Sequence, residues 1–399
     1  RLSERSLAQE AWDLTEKAGT LEDMAMGDLP PGDFRAFRRD NLTVRAQVHY
    51  NRAQWIDAEK TTRAVLNLAE EDGDAHAATE ARLRLATVLR RRGEHAMSQD
   101  FAEQALEAAR RLHFRQGVAD ALHCMASLAW AQGDIDTCER TANEGLLVAH
   151  GRDLAEQRAK LLLALTAAQA TRGHLASATT GLTEAEGIFR ELRMKRPRCL
   201  ALANLAELLT WQGEPLQARQ RAHVSLQLAN ELDYKLGQTA AERATAIAAL
   251  DLGLFEDSRQ GLKRAVALAK SIELDEEILA CTVGLTQLHL ELGEPRRALD
   301  WAEKGLTLVS ECRDPERTQP LFLALSVQAL GPGEEAESRL RVAEAQIANL
   351  PIPRRTQVML AMAWAYDAVG DKANARARGQ SVVQTAGARG FRLLSLEAR

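Results

Sequence analysis

Few residues in this 399-residue chain have the type and spacing to do chemistry. His123-Cys124 together with Cys138 could supply metal ligands, but a metal site needs three or four converging donors. Cys124 falls on a predicted helix, and Cys138 occupies a position where the neighbouring repeats keep a small residue. A free cysteine there packs as a small hydrophobe, so neither a metal nor a cofactor is expected. Gly331-Pro332-Gly333 is too short to cradle a phosphate and reads as a helix turn. The chain has no G-x-x-x-x-G-K-S/T, no G-x-S-x-G and no H-E-x-x-H pattern, and no catalysis is expected of it.

Two basic groups are the next candidates. Arg90, Arg91 and Arg92, with Arg82 and Arg84 close by, could hold an acidic partner, although cations also suit the negative end of a helix dipole. Arg190, Arg193, Lys195, Arg196 and Arg198 cluster at a turn and could touch nucleic acid. The formal net charge of −5 argues against that, because nucleic-acid binders present a basic face. The five cysteines, Cys124, Cys138, Cys199, Cys281 and Cys312, are odd in number and lack C-x-x-C spacing. With no signal peptide, they read as reduced thiols of a cytoplasmic protein. No apolar run reaches the roughly 18 residues of a membrane span. The chain begins at Arg1 rather than Met and reads as a fragment of a longer protein.

These residues are positioned by a ladder of glycines. Gly93, Gly133, Gly173, Gly213, Gly253, Gly293 and Gly333 stand forty residues apart. Five residues after each comes a small residue: Ser98, Cys138, Ala178, Ala218, Ser258, Ala298 and Ser338. Seven further on stands another: Ala105, Gly145, Ala185, Ser225, Ala265, Gly305 and Ala345. Backward, the register lands on Ala53 and Ala58; forward, it slips to Gly370 and Ala375. A fixed period of this length means stacked copies of one supersecondary unit, each packed on its neighbours. Each unit is predicted to hold two helices. The first ends at the glycine, where a left-handed residue closes the last turn without a Cβ clash. In the second repeat it is expected over Thr79–Arg92, with Leu83, Leu85, Ala86, Val88 and Leu89 apolar. The second helix carries the two small residues, which let the pair approach closely, and closes near Leu112, Leu192, Leu232 or Ile272. Residues 1–18 read as an amphipathic helix, an N-terminal cap or the remnant of an upstream unit, and Gly27–Gly32 as a loop, which makes 1–33 an N-terminal capping helix and loop and 34–399 the array.

The first helices add a further repeating position: Ala46, Ala86, Ala126, Thr166, Ala206, Ala246, Thr286, Ser326 and Ala363. It is preceded by Leu or Met in most units, and Asn204-Leu205-Ala206 looks like an Asn-Leu-Gly core motif. This combination resembles the tetratricopeptide repeat over about residues 34–390. The forty-residue period, against about 34 in the standard repeat, points to a long-helix variant. Such variants occur in kinesin light chains and in the sensor regions of bacterial ATPase-type regulators. The resemblance implies an all-α, right-handed α-solenoid of about nine helix pairs. It also implies a non-catalytic scaffold that binds a protein or peptide on the concave face of its first helices, as sensor or adaptor of a larger bacterial signalling protein.

On that face lie residues thirteen, ten, nine, six, three and two before each glycine. The candidate partner-binding residues are Arg84 and Arg91, His123 and Trp130, Asn204, Glu207 and Trp211, and Arg243, Ile247 and Asp251. Trp211 is singled out because its counterparts Asn51, Arg91, Ala131, Thr171, Asp251 and Glu291 are mostly polar. The small Ala203, Ala240 and Ala244 would leave room beside it for a partner's side chain. The family's two-carboxylate clamp is mostly missing, so a chaperone-tail binder is not expected. The alternatives are a small-molecule inducer sensor and an oligomerisation arm. The register also makes a prediction about stability: Ala218→Trp, at a small position in mid-array, destabilises the fold by about 3 kcal/mol through overpacking. An unchanged melting temperature would show the register to be wrong.

Overall fold

A computed structural model describes residues 13, 17, 30–52, 54–311 and 318–389. Among these residues are eighteen α-helices, one short 3-10 turn and no strand. The helices follow one another in pairs. The first pairs are α1 (Pro31–Asn51) with α2 (Trp55–Glu71), α3 (Ala75–Arg91) with α4 (His95–Arg111), and α5 (Arg115–Ala131) with α6 (Ile135–Val148). Then come α7 (Ala155–Thr171) with α8 (Leu175–Glu191), α9 (Lys195–Trp211) with α10 (Pro215–Glu231), and α11 (Lys235–Asp251) with α12 (Phe255–Ser271). The series ends with α13 (Asp275–Glu291) and α14 (Pro295–Glu311), α15 (Gln319–Leu330) and α16 (Glu334–Gln346), and α17 (Ile352–Ala368) and α18 (Lys372–Arg389). First helices thus start at 75, 115, 155, 195, 235 and 275.

The glycines do what their chemistry allows. Gly93, Gly133, Gly173, Gly213, Gly253 and Gly293 all have φ between +66° and +81°. That geometry lets the glycine N–H return to the carbonyl three residues back and the next N–H to the carbonyl five back. Gly93 N donates to Arg90 O at 3.0 Å and Glu94 N to Leu89 O at 2.9 Å, so the last carbonyls of α3 are satisfied. A second left-handed turn lies between repeats, at Gly73, His113, Arg193, Asp233 and Glu273. Only one of these five is glycine, so composition does not mark the turn.

Several expectations need correction. Pro31 and Gly32 belong to the first turn of α1 rather than to a loop, with proline where its missing N–H is harmless. Helix α3 begins at Ala75, four residues before Thr79, because the Asp74 side chain accepts the Ala77 N–H at 3.0 Å and caps it there. In the eighth pair the working glycine is Gly331 (φ +73°), not Gly333. Counting five and twelve from Gly331 gives Ala336 (2% exposed) and Ala343 (0%), which are buried, whereas Ser338 and Ala345 are exposed. Ala363 is only half-buried. The expected cap over residues 1–18, Ala53 and Cys312 lie outside the described residues, apart from Asp13 and Lys17.

The described residues fall into two compact units. One takes in 1–168, 184–193 and 231–234, the other 169–183, 194–230 and 235–399. In the first, Leu83, Leu106, Leu122 and Leu161 pack together around Ala105, Ala119 and Ala121. In the second, Leu262, Leu285 and Leu288 close on Ala246, Ala265 and Cys281. The small positions sit at the contacts: Cys138, Ala178, Ala218, Ser258 and Ala298 are each 0% exposed. Helix α6 stops at Val148, and Arg115 takes up the carbonyls this leaves, donating to Val148 O at 3.1 Å and His150 O at 3.2 Å while pairing with Asp153. Successive second helices are stitched by exposed pairs such as Arg110–Glu144 and Arg219–Asp257, each 2.7 Å, which contribute modestly.

Two glycines provide a test of the packing. A Cβ on Gly305 would stand 2.2 Å from the ring of Phe322, which is itself 0% exposed, whereas one on Gly187 meets nothing within 4 Å. Gly305→Ala is expected to cost about 2 kcal/mol. Gly187→Ala, in the interior of α8, is expected to be neutral or to stabilise by up to about 1 kcal/mol. Thermal melts of the two variants check the contrast, and equal melting temperatures would refute it.

Candidate interaction face

The first helices meet through a repeated contact. A residue nine before the glycine reaches the carbonyl ten before the glycine of the preceding unit. Arg84 Nη1 donates to Thr43 O at 3.5 Å, and the Cys124 thiol faces Leu83 O at 3.9 Å. One lane of side chains therefore runs across α1, α3 and α5 in the first unit. Beside it, Thr87 Oγ1 lies 3.4 Å from Cys124 Sγ. His123 Nε2 lies 3.3 Å from Ser127 Oγ. Lys160 of α7 pairs with Glu156 at 2.6 Å and with Asp120 of α5 at 3.5 Å, and Gln157 donates to the other Asp120 oxygen at 3.3 Å.

Burial and neighbouring charge set the protonation states here. Burial, reinforced by the cations Lys160 and Arg90, pushes the His123 imidazole down to about 3, so it is neutral at pH 7. Burial raises the Cys124 thiol and outweighs the hydrogen bond from Thr87, so this cysteine is not a thiolate. Burial also raises the Asp120 carboxyl, against the pull of Lys160. At Lys160 burial opposes the charge, but Asp120 and Glu156 prevail and its affinity for the proton rises. Burial lowers the Arg84 guanidinium, with Glu80 opposing through space.

The second unit is arranged differently. Arg243 of α11 lies between two carboxylates, Glu277 of α13 at 2.8 Å and Glu207 of α9 at 3.3 Å. Its side chain is 17% exposed. The field of Glu277, aided by Glu207, outweighs burial and holds the guanidinium firmly charged. Below it, burial pushes the Cys281 thiol up to about 12 despite Arg243. Three consecutive first helices are thereby clamped by one cation.

Glu207 and Arg243 are thus brought together, and His123 lies within the field of Arg90. Asn204 and Arg91 are exposed; Trp211 and Asp251 are half-buried at the last residues of α9 and α11. Trp130 packs on Ala126, Cys138, Ala164 and Leu165, and Ile247 on Leu262 and Leu285, so both serve the core. Ala203, Ala240 and Ala244 are 4%, 7% and 5% exposed: the array itself covers them, and they frame no open slot.

Sequence reasoning missed Glu277, Asp120 and Lys160. The last two share a position thirteen before the glycine, so aligning the repeats with signed charges would have paired them. It also missed Trp364, six before Gly370 and 52% exposed. Among the described residues no group of three His, Cys, Asp or Glu could hold a metal, and no helix is long and apolar enough to cross a membrane. Cys138 turns inward, its thiol donating to Ala164 O at 3.5 Å.

No family model and no curated protein matches the chain in sequence. Solved structures do match in fold. A Rap protein complexed with competence and sporulation factor superposes with a TM-score of 0.67 at 12% identity, covering 90% of this chain and 99% of that one. The Rap conjugation gene regulator of the plasmid pLS20, in complex with a Phr peptide, gives a TM-score of 0.56 at 12% identity over 87% and 97% of the two chains. A signal transduction ATPase with numerous domains from Pyrococcus horikoshii, which has a tetratricopeptide repeat sensor, gives 0.51 at 11% identity over 88% of this chain and 52% of that one. Paired helices and these likenesses define the class: an all-α helical-repeat solenoid of the tetratricopeptide type.

The two charge arrangements lead to separate tests. Below pH about 6.5 the unfolded chain protonates His123 while the folded chain does not, so this residue withdraws stability as pH falls toward about 3. An NMR titration should find the His123 imidazole neutral at pH 5; a midpoint near 6.5 would exclude the burial described. Glu277→Gln leaves Arg243 with one partial partner and should cost about 1–3 kcal/mol in urea unfolding. No loss would mean that Glu207 alone suffices.

Proposed function

We propose that this chain is a non-catalytic interaction scaffold that binds a protein or peptide on its first-helix face, as sensor or adaptor of a larger bacterial signalling protein. The observation that supports this most is the superposition with the Rap protein complexed with competence and sporulation factor, which spans nearly all of both chains. The likeness to the sensor-bearing ATPase, whose chain is about twice as long as the matched part, supports placement within a larger regulator. We read residues 34–399 as the array, a long-helix variant with a forty-residue period, and residues 1–33 as its cap. The free thiols of Cys124, Cys138, Cys199 and Cys281 suit a cytoplasmic location.

Within this reading the candidate residues divide by role. Glu207 and Arg243, with Glu277, hold α9, α11 and α13 in register, because their charges are satisfied within the chain. Asn204 and Trp211 on α9 are offered to the partner, as are Arg84, Arg91 and His123 on α3 and α5. Tryptophan and arginine are the commonest interface anchors, and losing one typically costs about 2 kcal/mol of binding. Trp130, Ile247 and Asp251 border the face.

The test is selection of a randomised octapeptide library on the purified chain, followed by hydrogen exchange of the complex with the best peptide. Protection is expected on first helices, α3, α5, α9 or α11, and not on α4, α6, α10 or α12. Protection confined to second helices would overturn the assignment of the face. If no peptide is selected, but small molecules raise the melting temperature or light scattering shows self-association, the scaffold reading fails.

A further inference from the structure

In the lane that crosses α1, α3 and α5, the position nine before the glycine is small in most units. It is Cys124, Ala164, Asn204, Ala244 and Gly284 in successive units. In α3 it is Arg84, half-buried, with Thr43 O as its only hydrogen-bond acceptor among the described residues, at 3.5 Å. No carboxylate of the described residues lies within salt-bridge distance of it; Glu80, one turn earlier on the same helix, acts only through space. Packing does not call for an arginine here, because the same lane closes around small side chains elsewhere. A partly desolvated guanidinium without a carboxylate is costly to the folded chain. Arg243 shows how the same fold satisfies such a group when it serves structure alone: two carboxylates, at 2.8 and 3.3 Å.

The surroundings of Arg84 mix cations with carboxylates. Arg90 on α3 and Lys160 on α7 act on both His123 and Cys124, while Asp120 opposes them at Cys124. The face is not uniformly basic, since Glu80, Asp120 and Glu156 lie among the cations. That mixture disfavours a polyphosphate chain and suits a peptide whose carboxylates are spaced apart. Arg84 sits mid-way along α3, with α1 on one side and α5 on the other, so a chain laid across the face runs past it in both directions and presents a side chain rather than its terminus.

We propose that the Arg84 face of the first unit docks a peptide through an aspartate or glutamate side chain, which forms a charge-assisted, two-pronged pair with the Arg84 guanidinium. This rests on the scaffold reading above and names the chemistry of the partner.

The test uses the full chain and peptides enriched from the randomised octapeptide library. Expected are an excess of Asp and Glu among the enriched peptides and affinity that falls as salt rises. The best peptide should bind at least tenfold more weakly when its acidic residue is replaced by the amide, or when the chain carries Arg84→Gln. Arg84→Lys should retain an intermediate affinity, the exposed α12 variant Lys263→Gln should bind as the parent, and amidation of the peptide's C-terminus should change nothing. Enriched peptides without acidic residues, or acidic peptides that bind Arg84→Gln at parental affinity, would overturn this proposal while the scaffold reading stands. Loss of binding on C-terminal amidation would overturn the side-chain assignment. Selection of no peptide at all would overturn this inference, and, together with stabilisation by a small molecule or self-association in light scattering, the scaffold reading as well. Should Arg84→Gln fail to fold, the acid-to-amide exchange in the peptide, measured on the parent chain, decides alone.

Discussion

The closeness of the two helices in each pair is the constraint on which the rest depends. The second to eighth pairs each meet at a small residue five after the turn glycine, and again twelve after it. Interiors pack like crystals, so one added methylene at these contacts is felt at once. At Gly145 and Gly305 the constraint is tightest, because Leu161 and Phe322 of the following first helix fill the space that a Cβ would take. Second helices therefore seat the next unit as well as closing their own. Packing, capping and turn geometry agree at each repeat, which makes one stacking arrangement far better than its competitors.

Polar groups add specificity to this apolar frame. Connections between first helices include Arg243 among two glutamates in one unit and Lys160 with Asp120 and Gln157 in the other. Each spans 34 to 40 residues of sequence but only one neighbouring helix in space. Between second helices the pairs are more exposed and individually weak. Among first helices, neighbouring carboxylates outweigh burial at Arg243 and Lys160, whereas burial prevails at His123.

That difference bears on function. Under the function proposed above, groups that the fold has left costly or incomplete are the ones offered to a partner, and an arginine lacking an acid is of that kind. Arg243, although chosen by the same reading of the repeat, is complete without a partner. The same residue type at neighbouring lanes of the same repeat therefore has opposite meanings, set by whether a carboxylate stands one helix away.

The glycine ladder, the small contacts, the helix pairs and the identity of the first helices were legible in the amino-acid sequence, because helix ends and close contacts are specified by local residue types. The ends of the ladder were less so: Gly331 and Gly333 are alike on paper, and only the packing of Ala336 and Ala343 selects between them. The second left-handed turn, at His113, Arg193, Asp233 and Glu273, was invisible, since the flanking helices impose that backbone on residues with no preference for it. Spacing put Trp130, Ile247, Glu207 and Arg243 on one face. Tertiary structure decided that the first two belong to the core rim and that Arg243 is held by Glu277 as well as Glu207. The reason is reach: which side chain meets which depends on the offset between stacked helices, and a period in the sequence fixes the repeat of that offset but not its size.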